Sequence, residues 1–314
     1  MFPGYSLELF CLELPKVELH AHLNGSLSPN TMQKLVERKK ADKPELVDFK
    51  IPDSLDKIDD FFKLFKFIYQ LTDDDDSVRI ATRDIIDDFA KDNVKYLELR
   101  TTPRKNDETD RRNTLDEAQE AVDLAIEFRS QGIVGIDLCG DVSVGQFEDL
   151  RPAFERAKQE GFLVTLHFNE IEENVPESHS LLSIQPDRLG HATFLDEESR
   201  NLIYEENIPI EICMTSNVLC KTVETYQDHH IKHLLRDNHS FSLCTDDKGV
   251  FFSECSNEYK IAAETFRLSK LELFQISRKS IEAIFADADT KKFLKDNLFK
   301  WWQRTYELYP DEYE

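Results

Sequence analysis

The chain is short of positive charge: 39 lysines and arginines against 62 aspartates and glutamates leave its 314 residues with a formal net charge of −23. A general nucleic-acid binder needs clustered cations to displace counterions from phosphates, so nucleic acid is not an expected partner. Any anionic ligand must meet a local basic pocket. Long apolar runs are missing too. No stretch of about 18 apolar residues offers a membrane span, and "MFPGYSLELFCLELPK" lacks the basic start and small-residue cleavage site of a secretory leader. A cytoplasmic protein away from membranes is expected. CxxC pairs are absent, so Cys11, Cys139, Cys213, Cys220, Cys244 and Cys255 read as reduced, structural thiols. Neither a Gly/Ser/Pro-rich linker nor a repeat of about 20–50 residues divides the chain. One domain over residues 1–314 is expected, since a (β/α) barrel commonly spends about 250 residues or more as a single unit.

What is present is an alternation. Short apolar runs rich in Val, Ile, Leu and Phe predict strands at Lys16–Leu23, Val94–Thr102, Ile133–Gly140, Phe162–Phe168, Arg188–Phe194, Ile208–Met214 and Ser240–Cys244. Between them lie helical patterns such as "SVRIATRDIIDDFAKDN" and "TLDEAQEAVDLAIEFRSQG", the second ending in Gly132 as a C-cap. Strands alternating with helices give an α/β fold with a parallel sheet. The run Asp73–Asp76 reads as a solvated helix start.

Chemistry-bearing residues close several of these runs. In "KVELHAHLNGS" the strand period of two puts His20 and His22 on one side. "FLVTLHFNE" ends in His167 with Glu170 three residues later, "RLGHATF" carries His191, and "FSLCTDD" ends in Asp246 and Asp247. Parallel barrels keep their active sites at the C-terminal ends of their strands, so these residues are expected to converge. His20, His22, His167 and Asp246 offer three imidazole nitrogens and one carboxylate, a set suited to a single Zn²⁺ with a position left for water. Glu170, His191 and Asp247 remain for acid–base work beside it. No lysine occurs in "IVGIDLCGD", where a bridging carbamate would be needed for two metals.

The motifs "HAHLNGS", "LELRTTPR", "LCGD", "LHFNE", "GHATF", "TSN" and "CTDDKG" resemble the metal-dependent adenosine/AMP deaminase family over Leu14 to about Phe285. "HLNGS", "RTTPR" and "TDDKG" are similar to the branch acting on N6-methyl-AMP, whereas adenosine enzymes usually carry Asp in place of Asn24 and Pro in place of Lys248. The resemblance implies a TIM-type (β/α) barrel of the metal-dependent hydrolase kind. It implies zinc on His20, His22, His167 and Asp246, a proton from Glu170 to purine N1, and water oriented by His191 and Asp247. N6-methyl-AMP would yield IMP and methylamine. The backbone N–H of Gly140 would meet the purine, and Asn24, Thr101, Thr102, Pro103 and Arg104 would face ribose and phosphate. His22 and Asp247 would also border the substrate. Tyr69 stands where this branch carries a ring-nitrogen donor, or packs on its helix face, and Asp110 resembles a family Asp that follows the third strand. A monomer acting on a small purine nucleotide is expected.

Two departures stand out. Ala192 replaces a usual glycine. From Arg104 to Gly132 there is room for only one helix where the family places helix, third strand and helix, so seven strands are expected and one βα unit is lacking. This leaves open a catalytically impaired or inactive relative, and a plain adenosine deaminase as an outside alternative.

Overall fold

The computed structural model describes residues 5–50, 58–103, 114–140 and 145–308. Among them are seven strands: β1 (Lys16–His22), β2 (Val94–Arg100), β3 (Gly135–Leu138), β4 (Leu163–Phe168), β5 (Arg188–His191), β6 (Ile210–Ile212) and β7 (Phe241–Leu243). All pair in parallel, β1 with β2 and β3 through β7 in chain order. The two sheets meet just past β7. There Asp246 N–H donates to His20 O at 2.7 Å and His22 N–H donates to Asp246 O at 2.9 Å. The resulting order, β2-β1-β7-β6-β5-β4-β3, is a barrel that among the described residues does not close between β2 and β3.

Strands that lie inside helices on a parallel sheet bury both faces, and β1 does so except at His22. Helix starts follow their caps. Ser28 accepts from Thr31 N–H ahead of Pro29–Lys39, Asp74 from Ser77 N–H ahead of Asp75–Lys91, and Thr114 forms a reciprocal box with Glu117 ahead of Leu115–Phe128. Asp73 and Asp74 also pair with Lys39. The expected solvated helix start is thus a capped and neutralised one. Gly132 ends its turn at φ 110°, a left-handed conformation that a side chain resists.

One apolar core runs from Tyr5 to Leu298, but Val122, Ala125, Ala153, Ala157 and Phe162 form a separate patch beneath the helix Leu115–Phe128. That helix lies over the opening. A cavity of about 510 Å³ occupies the space, lined by Leu97, Leu99, Ala118, Val122, Ile136 and Phe154 among others. Arg100 Nη1 spans it to Asp137 Oδ2 at 3.0 Å, so β2 and β3 communicate through side chains. At the cavity's edge the Phe285 ring stacks on the Arg188 guanidinium at 3.6 Å, and Phe285 N–H donates to Glu98 Oε1 at 2.6 Å. The missing βα unit expected between Arg104 and Gly132 corresponds to this opening.

All six cysteines are free, with Cys11, Cys213, Cys244 and Cys255 buried, as expected for small hydrophobes. Among the described residues no helix is long and apolar enough to cross a membrane.

Candidate active site

The strand ends converge as expected. His22 Nε2 lies 3.2 Å from both His167 Nε2 and Asp246 Oδ1, and His20 Nε2 lies 3.3 Å from the same Asp246 oxygen. His191 Nε2 stands 3.7 Å from Asp246 Oδ2 and 3.8 Å from Glu170 Oε2. Ligand atoms of His20, His167, His191 and Asp246 all lie within 4.8 Å of one another. His22 touches this cluster from its more open side.

The far ring nitrogens decide which atoms are available. His20 Nδ1 contacts Glu211 Oε2 at 2.7 Å and His167 Nδ1 contacts Asp137 Oδ1 at 3.2 Å. Both carboxylates accept, so each Nδ1 carries a proton, and in its neutral form each ring turns a bare Nε2 to the centre. His20 Nε2 is buried without a hydrogen bond, and the His22 and His167 Nε2 atoms confront each other, an approach that a shared cation would satisfy. Bare, convergent imidazole nitrogens beside a carboxylate are what a borderline cation needs. The residues fit a metal.

Two glycines make the convergence possible. A Cβ on Gly190 would stand 2.8 Å from His20 Cε1, and one on Gly25 would overlap the Asp247 carboxyl at 1.6 Å from Oδ1. Gly25 thus does more than turn the chain after Asn24. Burial acts on the acids and bases: it raises the Glu170 carboxyl and pushes His191 well below the ordinary imidazole range. Burial also opposes ionisation of Asp246, but the neighbouring His20 and His22 hold it well below the usual carboxylate range.

Other expected residues are distributed more widely. Asn24 accepts from Thr72 Oγ1 at 3.0 Å, Thr102 Oγ1 lies 3.5 Å from Cys139 Sγ, and Thr101–Pro103 follow β2 beside the opening. Gly140 follows β3 at φ 108°. Tyr69 is half-buried with its ring 5.8 Å from that of Phe65, so packing on its helix face is what the structure displays. Arg104 and Asp110 lie outside the described residues.

Beneath the centre is a charged layer that sequence reading missed. Buried Glu211 on β6 meets His20, Arg100 Nη2 at 3.0 Å, Arg188 Nε at 2.6 Å and Thr165 Oγ1 at 2.9 Å. Asp137 on β3 holds His167 and Arg100. Glu18 on β1 accepts from His20 N–H and from Thr245 N–H and Oγ1. Their signal was available: an acid in the middle of each apolar strand, in "VELHAH", "GIDLC" and "PIEIC".

Imidazoles and carboxylates gathered at the C-terminal ends of parallel barrel strands define a barrel hydrolase of the metal-dependent type. The chain belongs to the adenosine deaminase family, whose model matches residues 15–112 and 107–301. The chain is similar to N6-methyl-AMP deaminase-L of Xenopus laevis, 38% identical over 334 residues that cover 93% of this chain and 94% of that one. The solved Arabidopsis N6-mAMP deaminase is 35% identical, with a TM-score of 0.84 over 93% of this chain and 99% of its own. An Arabidopsis structure complexed with IMP matches at 34% identity and a TM-score of 0.84, covering 96% and 99%. The family match falls into two pieces that meet at residues 107–112, and the Xenopus alignment of 334 positions exceeds the 314 residues of this chain. The alignment length requires residues in that relative with no counterpart here, and the overlap of the two family pieces falls between β2 and β3.

Proposed function

We propose that this chain deaminates N6-methyl-AMP by hydrolysis, giving IMP and methylamine. The observation that carries the reading is the approach of His20, His22, His167 and Asp246 to one another and to Glu170 and His191 at one end of the barrel, in a chain whose relatives bear that activity in their names. One zinc ion, suited to three imidazoles and a carboxylate, is the metal that His20, His22, His167 and Asp246 would hold; it supplies a Lewis acid that makes water acidic near neutral pH.

The chain's own residues do the remaining work. Glu170, whose carboxyl burial pushes toward the protonated form, gives its proton to purine N1, which draws electron density away from C6. His191 and Asp247 orient the attacking water and assist the loss of its proton. The Gly140 N–H holds the purine edge, while Asn24, Thr101, Thr102 and Pro103 border ribose and phosphate. Arg104 clasps the phosphate, because a planar guanidinium offers two parallel hydrogen bonds in a chain of otherwise negative surface.

The test is methylamine release by purified protein from N6-methyl-AMP and from N6-methyladenosine. The monophosphate is expected to be the better substrate in kcat/KM. Release from the nucleoside at an equal or higher rate would overturn the substrate assignment, and no release from either would overturn the activity.

A further inference from the structure

His191 is held by a relay that begins on a backbone amide. Ile231 N–H, in the first turn of the helix Ile231–Asp237, lies 3.2 Å from His229 Nδ1. A backbone N–H can only donate, so His229 Nδ1 is bare and the proton of this neutral ring sits on Nε2. His229 Nε2 lies 3.1 Å from Asn217 Oδ1. The donor on that side fixes the amide orientation, with Nδ2 turned away from His229. Asn217 Nδ2 then faces Thr222 Oγ1 at 3.0 Å, Thr193 Oγ1 at 3.4 Å and His191 Nδ1 at 3.4 Å. An amide nitrogen has no lone pair to accept with, and its two hydrogens are shared among these three acceptors, so a proton on His191 Nδ1 would face no acceptor there.

From this chain of contacts we infer that Asn217 and His229 are positioning residues that fix the tautomer of His191, with Nδ1 bare and the proton on Nε2 facing the reacting centre. The inference rests on the deaminase reading and sharpens it. Neutral His191 then gives a hydrogen bond at the centre and takes no proton there, so the proton lost by water goes to the other group assigned that task, the Asp247 carboxylate. His191 is also held at its backbone. His230 Nε2 lies 2.8 Å from His191 O, and the His229 and His230 rings stack with centroids 4.4 Å apart. That second contact braces a residue at φ 58°, followed by Ala192 at φ 48°, a conformation the chain does not hold without support.

His229, Asn217 and His191 are all at most 2% exposed, so no bulk water competes for these contacts. Burial pushes His229 down to about 2 and His230 down to about 4, so both rings stay neutral through the working pH range and the relay keeps its direction. Nothing in the relay needs a bound metal. Its polarity comes from Ile231 N–H.

The experiment is ¹⁵N NMR of the zinc-loaded protein labelled at histidine, with the His191 signals identified by their loss in His191→Gln. Wild type is expected to show the His191 proton on Nε2. Asn217→Asp, which presents only acceptors, is expected to move it to Nδ1 and to lower kcat about 100-fold with KM changed less than about threefold, the scale of one misdirected proton-transfer partner. His229→Gln keeps a donor toward Asn217 and is expected to retain the tautomer and at least a third of wild-type kcat, whereas His229→Leu loses both. A wild-type proton on Nδ1, or an Asn217→Asp protein with tautomer and kcat unchanged, would overturn the inference. If Asn217→Asp does not fold, the wild-type spectrum and the two His229 variants decide. Because the spectrum needs no turnover, failure of the deaminase reading shows separately, as an intact tautomer without methylamine.

Discussion

Glu211 Oε2 on β6 sits 2.7 Å from His20 Nδ1 on β1, across the interior of the barrel. The same side chain neutralises Arg100 and Arg188, so orientation of a ring proposed to bind the metal and charge balance of the core depend on one residue. Glu211→Gln keeps the shape and weakens the hold on the His20 proton; zinc affinity is expected to fall about 10- to 100-fold, read by metal content after dialysis against a graded chelator. Glu211→Leu leaves two buried guanidiniums short of a counter-charge and is expected to cost about 3–5 kcal/mol in denaturant unfolding. Unchanged affinity in the first variant would show that His20 is oriented by packing alone.

His230 predicts a pH dependence with a definite sign. In the unfolded chain it takes up a proton below its ordinary value of 6.5, but burial lowers this to about 4 in the folded protein. The unfolded state therefore holds more protons between those values, and stability present above pH 6.5 is lost as pH falls toward about 4. His230→Gln cannot titrate and still offers a donor to His191 O. Its unfolding free energy is expected to fall less steeply than that of wild type across that window, by no more than about 3 kcal/mol at the acid end. Parallel curves would remove His230 from the account.

Much of this architecture was legible in local pattern. All seven strands fall inside runs read from Val, Ile, Leu and Phe, and the metal-site residues stand at their ends because each polar residue interrupts an apolar run. Boundaries shifted where geometry overrode composition. The run Arg188–Phe194 stops being a strand at His191, where positive φ begins, and Ile208–Met214 shortens to Ile210–Ile212 because Met214 opens a helix over "TSN". The supporting layer was not legible as a network. Glu211 and His20 are 191 positions apart, and only the closed chain tells which buried acid meets which imidazole. Asn217 and His229 were hidden for the same reason: their meaning depends on a backbone amide at Ile231.

Metal holding and acid catalysis are expected to separate on mutation. Asp246→Ala or His167→Ala removes a donor and should leave protein without zinc. Glu170→Gln should retain a full equivalent while kcat falls about 10²- to 10⁴-fold, because only the proton donor is lost. Zinc content by atomic absorption, measured beside methylamine release, distinguishes the two. Zinc loss in Glu170→Gln would place that carboxylate among the ligands.

Arg104→Ala should discriminate between substrates. Removing a charge-assisted contact to phosphate is expected to cost about 1.5–3 kcal/mol in kcat/KM for the monophosphate and to leave the nucleoside unaffected. Equal losses for both would give Arg104 a structural role.

The opening between β2 and β3 yields the last prediction. A strand inside a parallel barrel satisfies its backbone groups on both edges, but among the described residues these two have a strand neighbour on one edge only, with a cavity of about 510 Å³ between them. Each backbone group left there without a partner costs about 1–3 kcal/mol unless water reaches it, and the patch around Val122 and Ala153 stays cut off from the main core. The proposed metal ligands come from β1, β4 and the end of β7, so metal binding is expected to survive without the absent unit. Thr101–Pro103 border the opening and bear its effect directly. Grafting the helix and strand that the family resemblance implies between Thr109 and Asp110 is therefore expected to raise Tm by roughly 5–10 °C, the equivalent of a few kcal/mol. It should also raise turnover on N6-methyl-AMP while zinc content stays the same. If the grafted and ungrafted chains melt together and turn over alike, the barrel tolerates its open edge, and Arg100–Asp137 with Phe285 is closure enough.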